Sequence, residues 1–207
     1  MKSENLPAEP VSAAVGRPRA FDVEQALAQA LEVFWRKGYE GTSLSELTEA
    51  MGINRPSLYA AFGNKEALFR QALDLYERER APAAAAALAE KEGRVAIERL
   101  LHVIIDSQTD PKTPPGCLVV QGALPSGAKS EPVADELVAR RAATQGAILK
   151  RLQRAQADGE LPEGATSADL ARYFFTVIEG LAAQARDGAS REQLRRVVAL
   201  ALRVWPE

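Results

Sequence analysis

The sequence predicts an all-α protein of about nine helices, and three observations lead there. Apolar residues recur three and four apart along most of the chain, the spacing that lines one face of a helix. Residues whose side chains accept hydrogen bonds stand at the head of these runs: Asp22, Ser43, Asn54, Thr166 and Ser190. No hairpin dipeptide lies between alternating strands, and no repeat of roughly 20–50 residues appears.

Each element has its own reason. Asp22 with Gln25 has capping-box spacing, and Ala26, Leu27, Ala30, Leu31, Val33 and Phe34 follow at helical intervals. Gly38 stops that run, with Arg36 and Lys37 in the last turn, where cations complement the helix dipole. Ser43 with Glu46 heads a short helix with the stripe Leu44, Leu47 and Met51. Gly52-Ile53-Asn54 is a turn, and Asn54 caps a helix from Arg55 to about Phe62. After Gly63-Asn64, Lys65 opens a helix through Leu68, Phe69, Ala72, Leu75 and Tyr76 that ends near Arg80.

The second part is helical too. Ala83–Ala87 is an alanine run, and Gly93 to about Gln108 carries Val95, Ile97, Leu100, Leu101, Ile104 and Ile105. Asp110–Gly116 is a proline-rich loop. Cys117–Leu124 is short and apolar, and pattern alone leaves it helix or strand. Val133–Ala157 is a long helix that Asp158-Gly159 stops. Thr166 with Asp169 caps a helix through Leu170, Phe174, Val177, Ile178 and Leu181. Ser190 with Gln193 caps the last one, with the stripe Leu194, Val197, Val198, Ala201, Leu202 and Trp205.

Composition narrows the function. The 207 residues are 46% apolar and 26% charged, enough for a real core in a soluble chain. One cysteine excludes an internal disulfide, and with one histidine it leaves no set of ligands for a structural zinc; no metal or other cofactor is expected. The net charge of −2 argues against a protein that is basic all over, while leaving room for a local patch. No apolar run approaches the roughly 20 residues that span a bilayer, so no membrane partner is expected. Residues 1–15 lack the apolar segment of a secretory signal and read as a disordered tail, which makes the cytoplasm the expected location.

Residues 53–62, INRPSLYAAF, raise a question. A helix outside a core normally carries long charged side chains, yet Ser57, Ala60 and Ala61 are small. Two short helices joined by a turn that starts with glycine make a helix-turn-helix over residues 43–62. In that motif the second helix enters the major groove and the first crosses the backbone. Small residues such as Ala60 let the helix sit deep, and Asn54, Arg55, Ser57 and Tyr59 offer groups to bases and phosphates. Leu58 and Phe62, four apart, hold the helix to its domain. The alternative is a plain αα-hairpin inside a bundle.

Residues 17–80 resemble the tetracycline-repressor (TetR/AcrR) family of bacterial transcriptional regulators. The resemblance rests on Leu58-Tyr59, Phe62-Gly63-Asn64-Lys65-Glu66 and Leu68-Phe69, together with Phe34, Gly38 and Thr42-Ser43. It implies that Thr42 and Ser43 bond a phosphate at the start of the first motif helix. It implies that Tyr59 meets the backbone or a base edge, and that Lys65 meets a phosphate at a helix N-terminus. Arg17 and Arg19 stand where relatives carry a basic arm, or else belong to a solvated tail. Residues 16–80 hold nine Lys/Arg against ten Asp/Glu, so charge placement has to outweigh overall charge.

The family also implies a layout: an N-terminal three-helix helix-turn-helix DNA-binding domain (16–80), then a larger helical ligand-binding and dimerisation domain (81–207). Candidate lining residues for an effector pocket are His102, Cys117, Gln121, Phe174, Phe175 and Glu179. A thiol at a helix start has a lowered pKa and senses oxidants or electrophiles, while a buried cysteine is only structural. The helix 167–186 is apolar on more than one side and has to be covered on several faces. With the last helix it is expected to form a dimer interface from Phe174, Val177, Ile178, Leu181, Leu194, Val197, Val198, Ala201 and Leu202. Intrachain core is the alternative reading.

The expected function is a sequence-specific DNA-binding regulator, a homodimeric repressor released from a palindromic operator by a small-molecule or reactive effector. The competing reading is a small helical enzyme with a degenerate phosphate loop at 122–130, where Ala128 puts Lys129 one place too far. Nucleophile-elbow spacing is absent. A third class, an architectural DNA-binding protein without a ligand, conflicts with a second domain larger than dimerisation requires.

Overall fold

The computed structural model describes residues 21–122 and 131–205. Among them are α1 (Val23–Lys37), α2 (Leu44–Ala50), α3 (Arg55–Phe62), α4 (Lys65–Leu88) and α5 (Gly93–Gln108). They are followed by α6 (Leu118–Gln121), α7 (Glu131–Ala157), α8 (Ser167–Arg186), α9 (Arg191–Ala201) and a 3-10 turn (Leu202–Val204). The described residues contain no strand, so Cys117–Leu124 resolves to a four-residue helix with Ala123 and Leu124 outside the description.

Local chemistry sets the starts and stops. Asp22 Oδ1 accepts from the amides of Glu24 and Gln25 at 2.9 and 3.2 Å and opens α1. α2 begins in a complete capping box between Ser43 and Glu46. Asn54 Oδ1 accepts from the Ser57 amide at 2.9 Å, and Pro56 sits in the first turn, where its missing N–H removes no helical bond. Asn64 caps α4 in the same way through the Ala67 amide, at 2.8 Å. α1 ends at Gly38 with φ 72°, a conformation strained for any L side chain. A Cβ there would also meet the Gly122 carbonyl oxygen at 3.2 Å, which accepts the Tyr39 amide at 2.8 Å.

α4 runs eight residues past the stop expected near Arg80, through Pro82 and the alanine run to Leu88. A proline inside a helix removes a hydrogen bond and crowds the preceding turn. Here Ala84, Ala87 and Leu88 pack against the C-terminal core and hold the helix together across it. The expected division between residues 80 and 81 therefore falls inside one continuous helix.

The cores are also not divided by sequence position. The N-terminal core of Phe34, Leu47, Leu58, Phe62, Leu68 and Phe69 takes in Leu118 and Val119 of α6 and Val133 and Leu137 of α7. The C-terminal core gathers Ile97, Leu101, Ile105, Ile148, Leu152, Phe174 and Trp205. Gly93 lets α5 approach α7 closely: a Cβ there would lie 2.6 Å from Ala155 Cβ. The Gly93 amide instead donates to Glu160 Oε2 at 2.5 Å. None of the described helices is long and apolar enough to cross a membrane.

Candidate nucleic-acid interface and effector cleft

α3 buries Leu58 and Phe62 and turns Arg55, Pro56, Tyr59 and Ala60 outward. Tyr59 is 49% exposed, a large aromatic with nothing in the described chain covering its outer half. Ser57 is half-buried, and Asn54 is exposed with its Oδ1 engaged as the α3 cap. Arg55 donates to Ser45 Oγ at 2.8 Å, which ties α3 to the start of α2. Ser45 is not among the residues expected from sequence. Its only signal is a place two residues past Ser43 at the same helix end, which pattern alone does not distinguish from an ordinary solvated serine.

The two hydroxyls expected at phosphates differ. Ser43 is exposed, and its Oγ donates to Glu46 Oε2 at 2.8 Å. Thr42 is 2% exposed and its Oγ1 donates to the Gly38 carbonyl at 2.7 Å. Thr42 therefore locks the end of α1 and does not present its hydroxyl at the surface, which corrects the phosphate role that the resemblance implied.

Electrostatics follow the same geometry. Glu46 pairs with Lys37 across α1 and α2. The Lys37 hydrogen bond, followed by those from Ser43, pulls the Glu46 carboxyl down to about 2. Lys65 opens α4 with its Nζ 4.3 Å from the centre of the Tyr39 ring, and burial lowers its pKa. Burial raises the Tyr39 phenol, and Glu66 and Glu40 add to this. Tyr39 stacks on Phe34 and packs on Phe69, so the seat of Lys65 is fixed by the core. Arg17 and Arg19 lie outside the described residues.

Behind this head a cleft of about 860 Å³ opens between α4, α5, α7 and α8. Of the lining expected from sequence, Cys117 and Phe175 are in its wall and the others are not. Phe174 is fully buried against Tyr173 and Trp205, because adjacent residues on a helix point about 100° apart. Gln121 braces two elements, its Nε2 donating to the Ala182 carbonyl at 2.9 Å. Glu179 faces Arg141 at 3.9 Å, and half-buried His102 lies elsewhere on α5. Arg80, absent from the expected lining, lies in the wall. Its guanidinium is 4.0 Å from the Tyr76 ring and 4.6 Å from the ring of Trp35 on α1, and it donates to Ser107 Oγ at 3.2 Å. Burial drives the Tyr76 phenol well up, reinforced by the neighbouring Cys117 thiol and a hydrogen bond with it.

Seven of the nine residues expected at a dimer interface turn instead into the subunit's own core. Phe174, Ile178, Leu181, Leu194, Val198, Ala201 and Leu202 are all buried within one chain. Val177 is half-buried and Val197 is exposed. The outward apolar face of α8, α9 and the 3-10 turn consists of Tyr173, Val197, Leu200 and Val204. Periodicity identifies apolar positions, but two stripes on one helix look alike until the neighbouring helices are placed.

A capped helix-turn-helix with its second helix turned outward, on an all-helical body holding a cleft, is the architecture of a helix-turn-helix DNA-binding protein. Residues 26–72 match a family described as bacterial regulatory proteins, tetR family. Residues 93–201 match one described as tetracyclin repressor-like, C-terminal domain. The HTH-type transcriptional repressor ComR of Escherichia coli (strain K12) is 38% identical over 194 residues, covering 93% of this chain and 92% of its own. The repressor BdcR of the same organism is 33% identical over 191 residues, covering 90% of each chain. A cysteine mutant of CifR, a TetR family regulator solved with 26bp double-strand operator DNA, has a TM-score of 0.88 at 44% identity. That match covers 92% of this chain and all of the CifR chain. The chain belongs to the TetR family.

Proposed function

We propose that the chain is a homodimeric cytoplasmic repressor that leaves a palindromic operator when a small molecule fills the cleft. The observation that carries this reading is the outward face of α3, where exposed Tyr59 stands beside Ala60 and Arg55. The repressor names of ComR and BdcR and the operator DNA bound to CifR support it. Asn54, Arg55, Ser57, Tyr59 and Ala60 approach the groove, with Ser43 and Lys65 at the flanking phosphates and Arg17 and Arg19 as a basic arm. The apolar face of Tyr173, Val197, Leu200 and Val204 pairs with a second copy about a two-fold axis. Two α3 helices then meet half-sites about 34–36 Å apart, or a multiple of that.

Release is a shift between two conformations, of which the effector favours the one whose α3 spacing no longer fits. Arg80 supports a route for it, since it lines the cleft and packs on Trp35 of the head. Selection from random duplex DNA at near-physiological salt tests the reading. One enriched palindrome is expected, and Tyr59→Ala is expected to weaken its binding with the dimer intact. A folded wild-type protein that enriches nothing, or a Tyr59→Ala variant that loses the dimer, counts against it. The enzyme alternative has its phosphate loop at 122–130, which beyond Gly122 lies outside the described residues.

A further inference from the structure

The outward face of α3 presents carbon where a DNA-reading helix often presents long polar side chains. Its exposed residues are Arg55, Pro56, Tyr59 and Ala60. Pro56, Tyr59 and Ala60 stand at i, i+3 and i+4, one stripe turned away from the buried Leu58 and Phe62. Every side-chain heavy atom on that stripe is carbon except the Tyr59 oxygen, and Tyr59 is 49% exposed. Ala60 ends at its Cβ, so nothing at that position holds the backbone away from a neighbouring surface.

The polar groups beside the stripe are engaged or read bases poorly. In the major groove an adenine is read by the paired oxygen and nitrogen of one side-chain amide, and a guanine by a fork of N–H groups from Arg or Lys. Asn54 Oδ1 accepts from the Ser57 amide at 2.9 Å, so that oxygen faces the helix rather than a base. Arg55 Nη2 donates to Ser45 Oγ at 2.8 Å, which draws the one cation of α3 toward the first turn of α2. Ser57 is half-buried, and its single hydroxyl both donates and accepts, so it separates bases weakly. The apolar feature that a base pair shows in the major groove is the C5-methyl group of thymine.

We propose that α3 reads its half-site through C5-methyl groups of pyrimidines packed against Pro56, Tyr59 and Ala60, so that thymines in register with this stripe carry the discrimination. This rests on the placement of α3 in the major groove proposed above and specifies what it reads there. Phosphate contacts then supply affinity without sequence, and the methyl contacts supply the choice of site.

The test is binding of the full chain to its selected palindrome, followed by fluorescence anisotropy at fixed salt. Each thymine is replaced in turn by deoxyuridine, which removes the methyl and keeps every hydrogen-bonding group. At one or two thymines of each half-site the loss is expected to be about fourfold, and about fifteenfold with both half-sites changed, the worth of a buried methyl. A cytosine–guanine pair at such a position should bind weakly, and 5-methylcytosine should regain about fourfold, which separates the methyl from the rest of the thymine base. Tyr59→Phe should keep the deoxyuridine loss, and Tyr59→Ala should abolish it at the thymine under the ring. A loss that is the same in wild type, Tyr59→Ala and Pro56→Ala overturns the assignment to this stripe. Wild-type binding indifferent to deoxyuridine at every thymine overturns the proposal and leaves the DNA-binding reading in place; a loss of about tenfold on 7-deazaguanine in its stead assigns the reading to the Arg55 fork. A folded protein that enriches no palindrome overturns the placement of α3 and this inference with it.

Discussion

The Thr42 hydroxyl is spent on the Gly38 carbonyl inside the fold, so its contribution belongs to stability. Thr42→Val keeps the shape and strands that carbonyl, at a cost of about 1–2 kcal/mol. For a chain of this size that lowers Tm by about 3–6 °C, read by thermal unfolding, with operator affinity of the folded protein held. A phosphate contact would give the reverse pattern. Glu46 provides a pH signature. Its carboxyl is depressed from 4.5 to about 2, so its stabilising effect is complete above 4.5 and is lost as the pH falls towards 2. Acid titration followed by circular dichroism should show this loss in wild type and lack it in Glu46→Gln. The Thr42 role is not visible in the string, because Thr42 and Ser43 are chemically similar neighbours and only the packed end of α1 separates them; of the Glu46 partners, Ser43 is legible from spacing and Lys37 is not.

The helix ends are legible because capping is local. Asp22, Ser43, Asn54, Thr166 and Ser190 all cap through backbone amides two or three residues on, and Ser43 with Glu46 and Ser190 with Gln193 complete the reciprocal capping box, whereas Asp22 caps through its own carboxylate. The far end of α4 is not legible, since Pro82 obeys a local rule that tertiary contacts of Ala87 and Leu88 override. Pro82 is exposed and lies mid-helix, so Pro82→Ala restores a backbone donor without disturbing the core. It should stabilise the protein by about 2 kcal/mol, measured by denaturant unfolding. A neutral or destabilising result would mean that the proline sets a bend the two halves need.

Across the whole molecule, α4 and Arg80 connect the cleft to the helix-turn-helix domain, and the α8–α9 face leaves Tyr173, Val197, Leu200 and Val204 open, the surface proposed above for a second copy. Leu200, 58% exposed, is the most open of its face. Leu200→Glu should convert dimer to monomer in sedimentation while leaving the melting of each subunit within about 0.5 kcal/mol. Phe174→Ala, by contrast, opens a cavity in the core and should cost about 3–5 kcal/mol. Arg80→Met keeps much of the packing on Trp35 and Tyr76 but removes the charge and the bond to Ser107. It should leave operator affinity near wild type and weaken release by a ligand first shown to bind the cleft, measured as the ratio of operator affinities with and without that ligand.

The sequence by itself determined the all-α class, the positions of most helix starts and the helix-turn-helix at 43–62, since capping and apolar spacing act within a few residues. It also carried the family, through the string from Phe34 to Phe69. Only the tertiary structure decided which apolar stripe is core and which is free: it buries Phe174 and Leu194 and leaves Tyr173 and Leu200 open. It also decided that Arg80 and Gln108 share a wall with Cys117. A helical period records that a face is buried, but not by what. That depends on helices distant in sequence, whose arrangement is set by long-range packing.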